Sequence, residues 1–252
     1  MKRPDVHVAR ACELNVAEVH GAERDALLAR VEELFARERA ERKEPIDVRE
    51  ADADIPVVSL SDGVVTLRPW SRDDAGFMAE AFADPAIRRY NGAHDRLGRP
   101  APPLSIEDAE AIIDEFASSW RAFVATEPPS GVAFAITDAA SGGLVGCCGV
   151  DDWSKADVAQ FGYWIGPSAR GRGYATRAVV LLTRWLFELG AARAFLTIEA
   201  DNEASAAVAR RAGFVHEGTM RAHSVWQGER CDVMWFAALP LEWTMRDPDK
   251  PT

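Results

Sequence analysis

The segment that most restricts the fold is FGYWIGPSARGRGYA, residues 161–175. A strand-like run, Phe161–Ile165, enters a loop containing Arg170-Gly171-Arg172-Gly173, and a helix follows at once. Across Tyr174–Leu189, the residues Ala175, Ala178, Val179, Leu182, Trp185, Leu186 and Leu189 share one stripe at helical spacing, and Gly190 ends it. A strand feeding an amphipathic helix belongs to a layered fold in which the stripe lies on a sheet. The start of such a helix exposes N–H groups and the positive end of its dipole, which suits an anion. Gly171 and Gly173 let the backbone approach a phosphate without a Cβ in the way, and Arg170 and Arg172 add charge. The same glycines also suit a plain change of direction, so the loop alone admits both readings. It is not a Walker loop, because Tyr174-Ala175 stands where Lys-Ser/Thr is needed, nor a dinucleotide fingerprint, because Thr176 replaces the third small residue.

The flanking pattern is mixed. Val64–Arg68 reads as a strand ended by Pro69, and Asp73–Ala83 as a helix capped by Ser71. His94–Pro103 reads as a loop, and Ser105 caps a helix from Ile106 to about Trp120. Three strands, Val132–Thr137, Gly143–Val150 and Val158–Ile165, are separated by the turns DAASG and DDWSKAD. The glycines between Gly142 and Gly149 fit a hairpin turn and a bulge. After the central helix come a strand at Ala194–Ile198, a helix at Glu203–Ala212 stopped by Gly213, and strands near Thr219–Trp226 and Asp232–Leu239. A meander followed by a strand–helix–strand crossover predicts an α+β domain, a mixed and mostly antiparallel sheet with helices on both faces. This domain spans residues 55–247, with a short tail at 248–252. Residues 1–54 differ: Leu27, Leu28, Val31, Leu34 and Phe35 predict an amphipathic helix, followed by the acidic linker EPIDVREADAD. Its apolar face needs a partner, either the main domain or a second copy of the chain in a homodimer.

With 252 residues, 48% of them hydrophobic, one substantial core is within reach. A net charge of −11 disfavours a nucleic-acid ligand and favours cationic partners such as amines or basic peptides. No stretch is apolar enough for a signal peptide or a membrane span, which predicts a cytoplasmic protein. Cys12, Cys147, Cys148 and Cys231 form no C-x-x-C pair and no zinc spacing with the histidines, so reduced thiols and no metal are expected.

Four segments in order, LRPWSRDDA, FGYWIGPSARGRGYATRAV, ADNEASAAVARRAGF and EGTMR, resemble successive signatures of the RimJ/RimL-type branch of the GNAT N-acetyltransferases. The Arg170-x-x-Gly173-x-Ala175 loop is similar to the family loop that holds the coenzyme A pyrophosphate. The resemblance covers about residues 55–245. It implies an acyltransferase that moves an acetyl group from acetyl-CoA to a primary amine, on a protein N-terminus or a small molecule, by direct transfer in a ternary complex. It also implies a sheet split where Val158–Ile165 and Ala194–Ile198 diverge. Cofactor contacts would fall on Phe161, Tyr163, Trp164 and Ile165 through the strand backbone, on Arg170, Gly171, Arg172, Gly173, Tyr174 and Ala175 around the pyrophosphate, and on Asn202 near the pantetheine. Ser205 matches the residue that protonates the departing thiolate. Asn202 and Ser205 equally suit a helix cap.

Many relatives carry a glutamate where this chain has Gln160, which cannot act as a base. The acceptor amine must lose a proton to attack, so another group takes that role: Glu199, His223, Asp151 or a water relay. Free histidine side chains titrate near ~6.5, and His223 is the catalytic choice beside Ser205. Tyr90, Trp153 and Gln160 are assigned to the acceptor side. Asp232 resembles an aspartate found in the branch before the last strand. Cys147 and Cys148 lack the nearby histidine that would activate a nucleophilic thiol. A CoA-binding sensor without turnover and an enzyme acting on charged tRNA are the rival readings.

Overall fold

Eight strands make one sheet in the order β1-β2-β3-β4-β5-β6-β8-β7. They are β1 (Leu60–Ser61), β2 (Val65–Pro69), β3 (Val132–Asp138), β4 (Leu144–Trp153), β5 (Val158–Ile165), β6 (Arg193–Glu199), β7 (Val215–Trp226) and β8 (Glu229–Ala238). The structure, a computed structural model, describes residues 58–125, 131–154 and 156–244. The helices are α1 (Ala75–Ala81), α2 (Pro85–Asn91), α3 (Ile106–Ala125), α4 (Tyr174–Glu188), α5 (Glu203–Arg211) and α6 (Pro240–Thr244). All neighbouring strands pair antiparallel except β5 and β6, which α4 connects as a parallel crossover.

Strand alternation builds two cores. Val132, Phe134 and Ile136 of β3 face the cluster that takes up Val179, Leu182 and Leu186 of α4. Ala133 and Ala135 face the other cluster, with Met78 of α1, Ile87 of α2 and Ile113 of α3. Trp120 is 1% exposed, and its indole N–H donates to the Ala133 carbonyl at 3.0 Å, which removes the penalty of a buried donor. Ser105 caps α3: its hydroxyl accepts from Asp108 N at 3.1 Å, and Asp108 Oδ2 accepts from Ser105 N at 3.0 Å.

The expected strand positions hold, with shifted ends. Two differences bear on function. First, α2 is a separate helix in a stretch between the expected helix and the expected loop, to which the sequence reading assigns no element. Asp84 accepts from Ile87 N at 2.9 Å as its cap, and Pro85 sits in its first turn. Second, β4 runs on to Trp153, so Asp151, Asp152 and Trp153 are strand rather than turn residues. β4 also comes close to its neighbours: a Cβ on Gly146 would lie 2.2 Å from the Trp164 carbonyl oxygen. The helix expected between Glu23 and Arg42, its acidic linker and the tail at 248–252 lie outside the described residues. No helix among the described residues is long and apolar enough to cross a membrane.

Candidate active site

The sheet opens in its middle. β5 pairs with β6 only from Val158–Gln160 to Arg193–Phe195. Beyond Gln160 the two strands part, and the β6-facing edge of Phe161–Ile165 has no partner strand. A cleft of about 1110 Å³ fills the gap. Gln160, Phe161, Gly162, Tyr163 and Trp164 form one wall, and Leu196, Thr197, Ile198 and Glu199 the other. An unpaired strand edge is a row of N–H and C=O groups available to a polar chain laid beside it.

At one end stands the start of α4. Gly173 is its N-cap residue at φ 82, and Gly171 has φ 76, so both glycines occupy left-handed backbone. Their conformation is thus a second reason for glycine, beyond close approach. No atom lies within 4 Å of a Cβ built at either position, so the space over the loop is open. No side chain caps this helix, and Thr176 Oγ1 in its first turn is buried without a partner. The Tyr174 hydroxyl donates to Asp138 Oδ2 at 2.6 Å, anchoring the first turn to the β3–β4 turn and holding the Asp138 carboxyl at about 2. The two loop arginines differ. Both are exposed, but Arg170 donates to Asp84 at 2.8 Å and to the Ile165 carbonyl at 3.2 Å, whereas Arg172 interacts with Tyr174. Arg170 is thus paired with the cap residue of α2.

At the other end the cleft is acidic. The register between β4 and β5 slips between Val150 and Asp152, leaving Asp151 as the extra residue of a bulge. A Cβ on Gly162 would lie 3.3 Å from Asp151 Oδ2, so the carboxylate lies over β5 where glycine leaves room. Asp151 is exposed to the cleft it lines, and partial desolvation there pushes its carboxyl up to about 6. Nearby, Gln160 Nε2 donates to Thr197 Oγ1 at 3.5 Å.

The other two candidate bases are differently placed. Glu199 accepts from Arg89 Nη2 at 3.3 Å and from Ser224 Oγ at 3.2 Å. Arg89 also pairs with Asp201, and its guanidinium lies 4.9 Å from the Tyr90 ring centroid and 5.0 Å from that of Trp226. Glu199 is thus committed to a fixed ion pair. His223 lines the cleft on β7, its ring 6.4 Å from that of Trp235.

Asn202, Ser205 and Tyr163 meet at the cofactor side. Asn202 Oδ1 accepts from Ser205 N at 3.1 Å and is the cap of α5. The Ser205 hydroxyl is free of that duty and lies 2.8 Å from the Tyr163 hydroxyl, whose pKa burial pushes up to about 12. Cys147 and Cys148 are fully buried free thiols; burial pushes Cys147 up to about 12 and Cys148 well above its ordinary value, so neither is a nucleophile.

The structure thus brings Gln160, Phe161, Tyr163, Trp164, Asn202, Ser205, His223 and Tyr90 into one cleft. Ile165 and the residues from Arg170 to Ala175 are not part of that lining; they form the end of β5, the loop after it and the first turn of α4. Trp153 does not line this cleft. It is 8% exposed, packed in the core on the α4 side, with its indole N–H 3.4 Å from Asp157 Oδ1. The two residues after the bulge turn it away from the acceptor side.

Residues 65–215 match the acetyltransferase (GNAT) domain family, well over half of the chain. The chain belongs to the GNAT acetyltransferase family. YdaF of Bacillus subtilis, named as a candidate ribosomal N-acetyltransferase, is 35% identical over 86 residues, 34% of this chain and 47% of YdaF. The match therefore spans about half of that relative's length. Among solved structures, a ribosomal-protein-S5-alanine acetyltransferase from Vibrio fischeri has a TM-score of 0.59 at 18% identity, covering 77% of this chain and all of that one. Mycobacterium smegmatis RimJ, solved with CoA-disulfide, has a TM-score of 0.59 at 23% identity, covering 74% of this chain and 88% of that one. At these identities the two structures show a shared GNAT fold.

Proposed function

We propose that the chain transfers an acetyl group from acetyl-CoA to a primary amine, directly within a ternary complex, in the cytoplasm. The observation that carries the reading is Asp151. In a GNAT cleft lacking an acid at Gln160, a carboxylate raised to about 6 faces the split from the β4 bulge. A base whose pKa lies close to the working pH is the best placed to take a proton during attack. The fit to coenzyme A rests on three features: the uncapped start of α4, the open space over Gly171 and Gly173, and the unpaired edge of β5. When bound there, the cofactor supplies an acyl thioester. Residues Gly173–Thr176 offer N–H groups to its phosphates, and the backbone of Phe161–Ile165 orients its arm. Asp151 accepts the proton of the amine, and Ser205, hydrogen-bonded to Tyr163, gives one to the leaving sulfur. A raised carboxyl within the cleft favours an active enzyme over a cofactor sensor.

The names of YdaF and the Vibrio fischeri structure favour a protein N-terminus as the acceptor. The net charge of −11 suits such a basic partner. A thiol-release assay with acetyl-CoA tests the reading, run on peptides with free N-termini beside small amines. Release that depends on the amine supports it, and release with no amine on the panel contradicts it.

Ser205→Ala separates chemistry from binding. Asn202, not the Ser205 hydroxyl, caps α5, so the helix should persist. Turnover should fall by ~10²–10⁴-fold, as expected for loss of a general acid, with acetyl-CoA affinity unchanged by calorimetry. A parallel loss of affinity would make Ser205 a cofactor ligand instead.

A further inference from the structure

The β7–β8 hairpin breaks its regular pairing at one place on the cleft. Met220 pairs with Val233, and pairing resumes with Ser224 opposite Cys231, so Arg221, Ala222 and His223 share the single opposite residue Asp232. Ala222 has φ 55, a conformation that residues with a Cβ rarely adopt. Both of its backbone polar groups are met by side chains of β8. Asp232 Oδ1 accepts from Ala222 N at 2.8 Å, and Arg230 Nη1 donates to the Ala222 carbonyl at 3.5 Å. The Asp232 carbonyl also accepts from Ala200 N at 2.9 Å, which ties the bulge to the end of β6. Unusual backbone of this kind persists where the surroundings hold it, and it is concentrated at functional sites.

The two residues that follow Ala222 show what the bulge achieves. His223 and Ser224 both line the cleft. Ser224 Oγ donates to Glu199 Oε1, whose other oxygen takes Arg89, the arginine held between Tyr90 and Trp226. A carboxylate outside the cleft lining thus holds the backbone residue just before two of its lining residues. We propose that Asp232 is a positioning residue for the acceptor: it holds the Ala222 bulge in its left-handed turn and so fixes His223, Ser224 and, through Ser224, Glu199. The placement follows from the hairpin geometry, and its effect on the acceptor rests on the acetyl-transfer reading above.

The test uses the full chain and two readouts. The first is the NMR signal of the His223 imidazole, with His94 and His216 as internal references. Asp232→Ala removes the acceptor of the Ala222 N–H and should shift the His223 signal, one of five histidine signals, while leaving the two reference signals in place. Asp232→Asn keeps an oxygen at Oδ1 and should match the wild type. Ala222→Gly, added to Asp232→Ala, makes the left-handed backbone easy again and should restore the His223 signal. The second readout is kinetic, with the fastest amine of the thiol-release panel. Asp232→Ala should raise its KM by roughly 10-fold, the scale of one lost hydrogen bond to a charged group, with acetyl-CoA affinity unchanged.

An unmoved His223, or a displaced His223 with unchanged KM, overturns the proposal. So does a rise in KM accompanied by an equal loss of acetyl-CoA affinity and stability, which marks general damage. If Asp232→Ala does not fold, Asp232→Glu, which displaces the oxygen by one methylene, gives the same comparison. If no amine is acetylated, the acetyl-transfer reading fails, and the His223 signal still decides whether Asp232 positions this wall.

Discussion

Asp151→Asn should slow amine acetylation by ~10²–10⁴-fold at neutral pH while raising the melting temperature. The two effects have one cause. Desolvation at the β4 bulge lifts the carboxyl from its ordinary 3.8 to about 6. In the folded chain the neutral form is favoured, so the fold is most stable where Asp151 is protonated. That stability falls as pH rises from about 4 through about 6, because the unfolded chain then holds fewer protons at this site than the native one. An asparagine keeps the shape and never ionises, so at neutral pH it is spared this cost. The base, in contrast, works only when unprotonated. Wild-type kcat should therefore decline as pH falls through about 6, and Asp151→Asn should lack this limb. Rate against pH and calorimetric melting measure the pair of effects. A variant that is more stable and far slower identifies a strained functional group; one that keeps its rate removes Asp151 from the chemistry and returns the role to His223 or Glu199.

Gly173→Val should weaken acetyl-CoA binding by roughly 100-fold or more, about 2.7 kcal/mol, the scale of losing the charge-assisted hydrogen bonds at the head of α4. The side chain would project into the open space over the loop, where no protein atom lies within 4 Å of a Cβ. It would also sit at φ 82, which a β-branched residue resists, so a modest fall in melting temperature accompanies the loss. Gly173→Ala carries most of the backbone strain with less bulk. Binding retained in alanine and lost in valine assigns the effect to steric exclusion of the phosphates.

The elements with long periodic patterns were readable from residues alone. The α4 stripe, the β3 and β5 strands and the Asn202 turn stand where expected because local propensity and tertiary packing agree there. The site was only half readable. The pairing of Arg170 with Asp84 is not readable from the sequence, because Asp84 lies 86 residues away and caps a helix whose seven residues carry no periodic signal. DDWSKAD reads as a turn, yet β4 runs on through Trp153, and the one-residue bulge at Asp151 shifts the alternation of the residues after it. That bulge left no composition signal, yet it is what lifts Asp151 over β5. Asp232 was visible only as a family likeness, since its action on Ala222 depends on a register break between two strands.

The most direct test of the account is a calorimetric titration of acetyl-CoA into the wild-type chain, Asp151→Asn, Ser205→Ala and Gly173→Val. Saturable binding is expected in the wild type, with unchanged affinity in the first two variants and its loss in the third. No binding to the wild type, or equal affinity in Gly173→Val, would contradict the claim that the divided sheet and the start of α4 form a coenzyme A site.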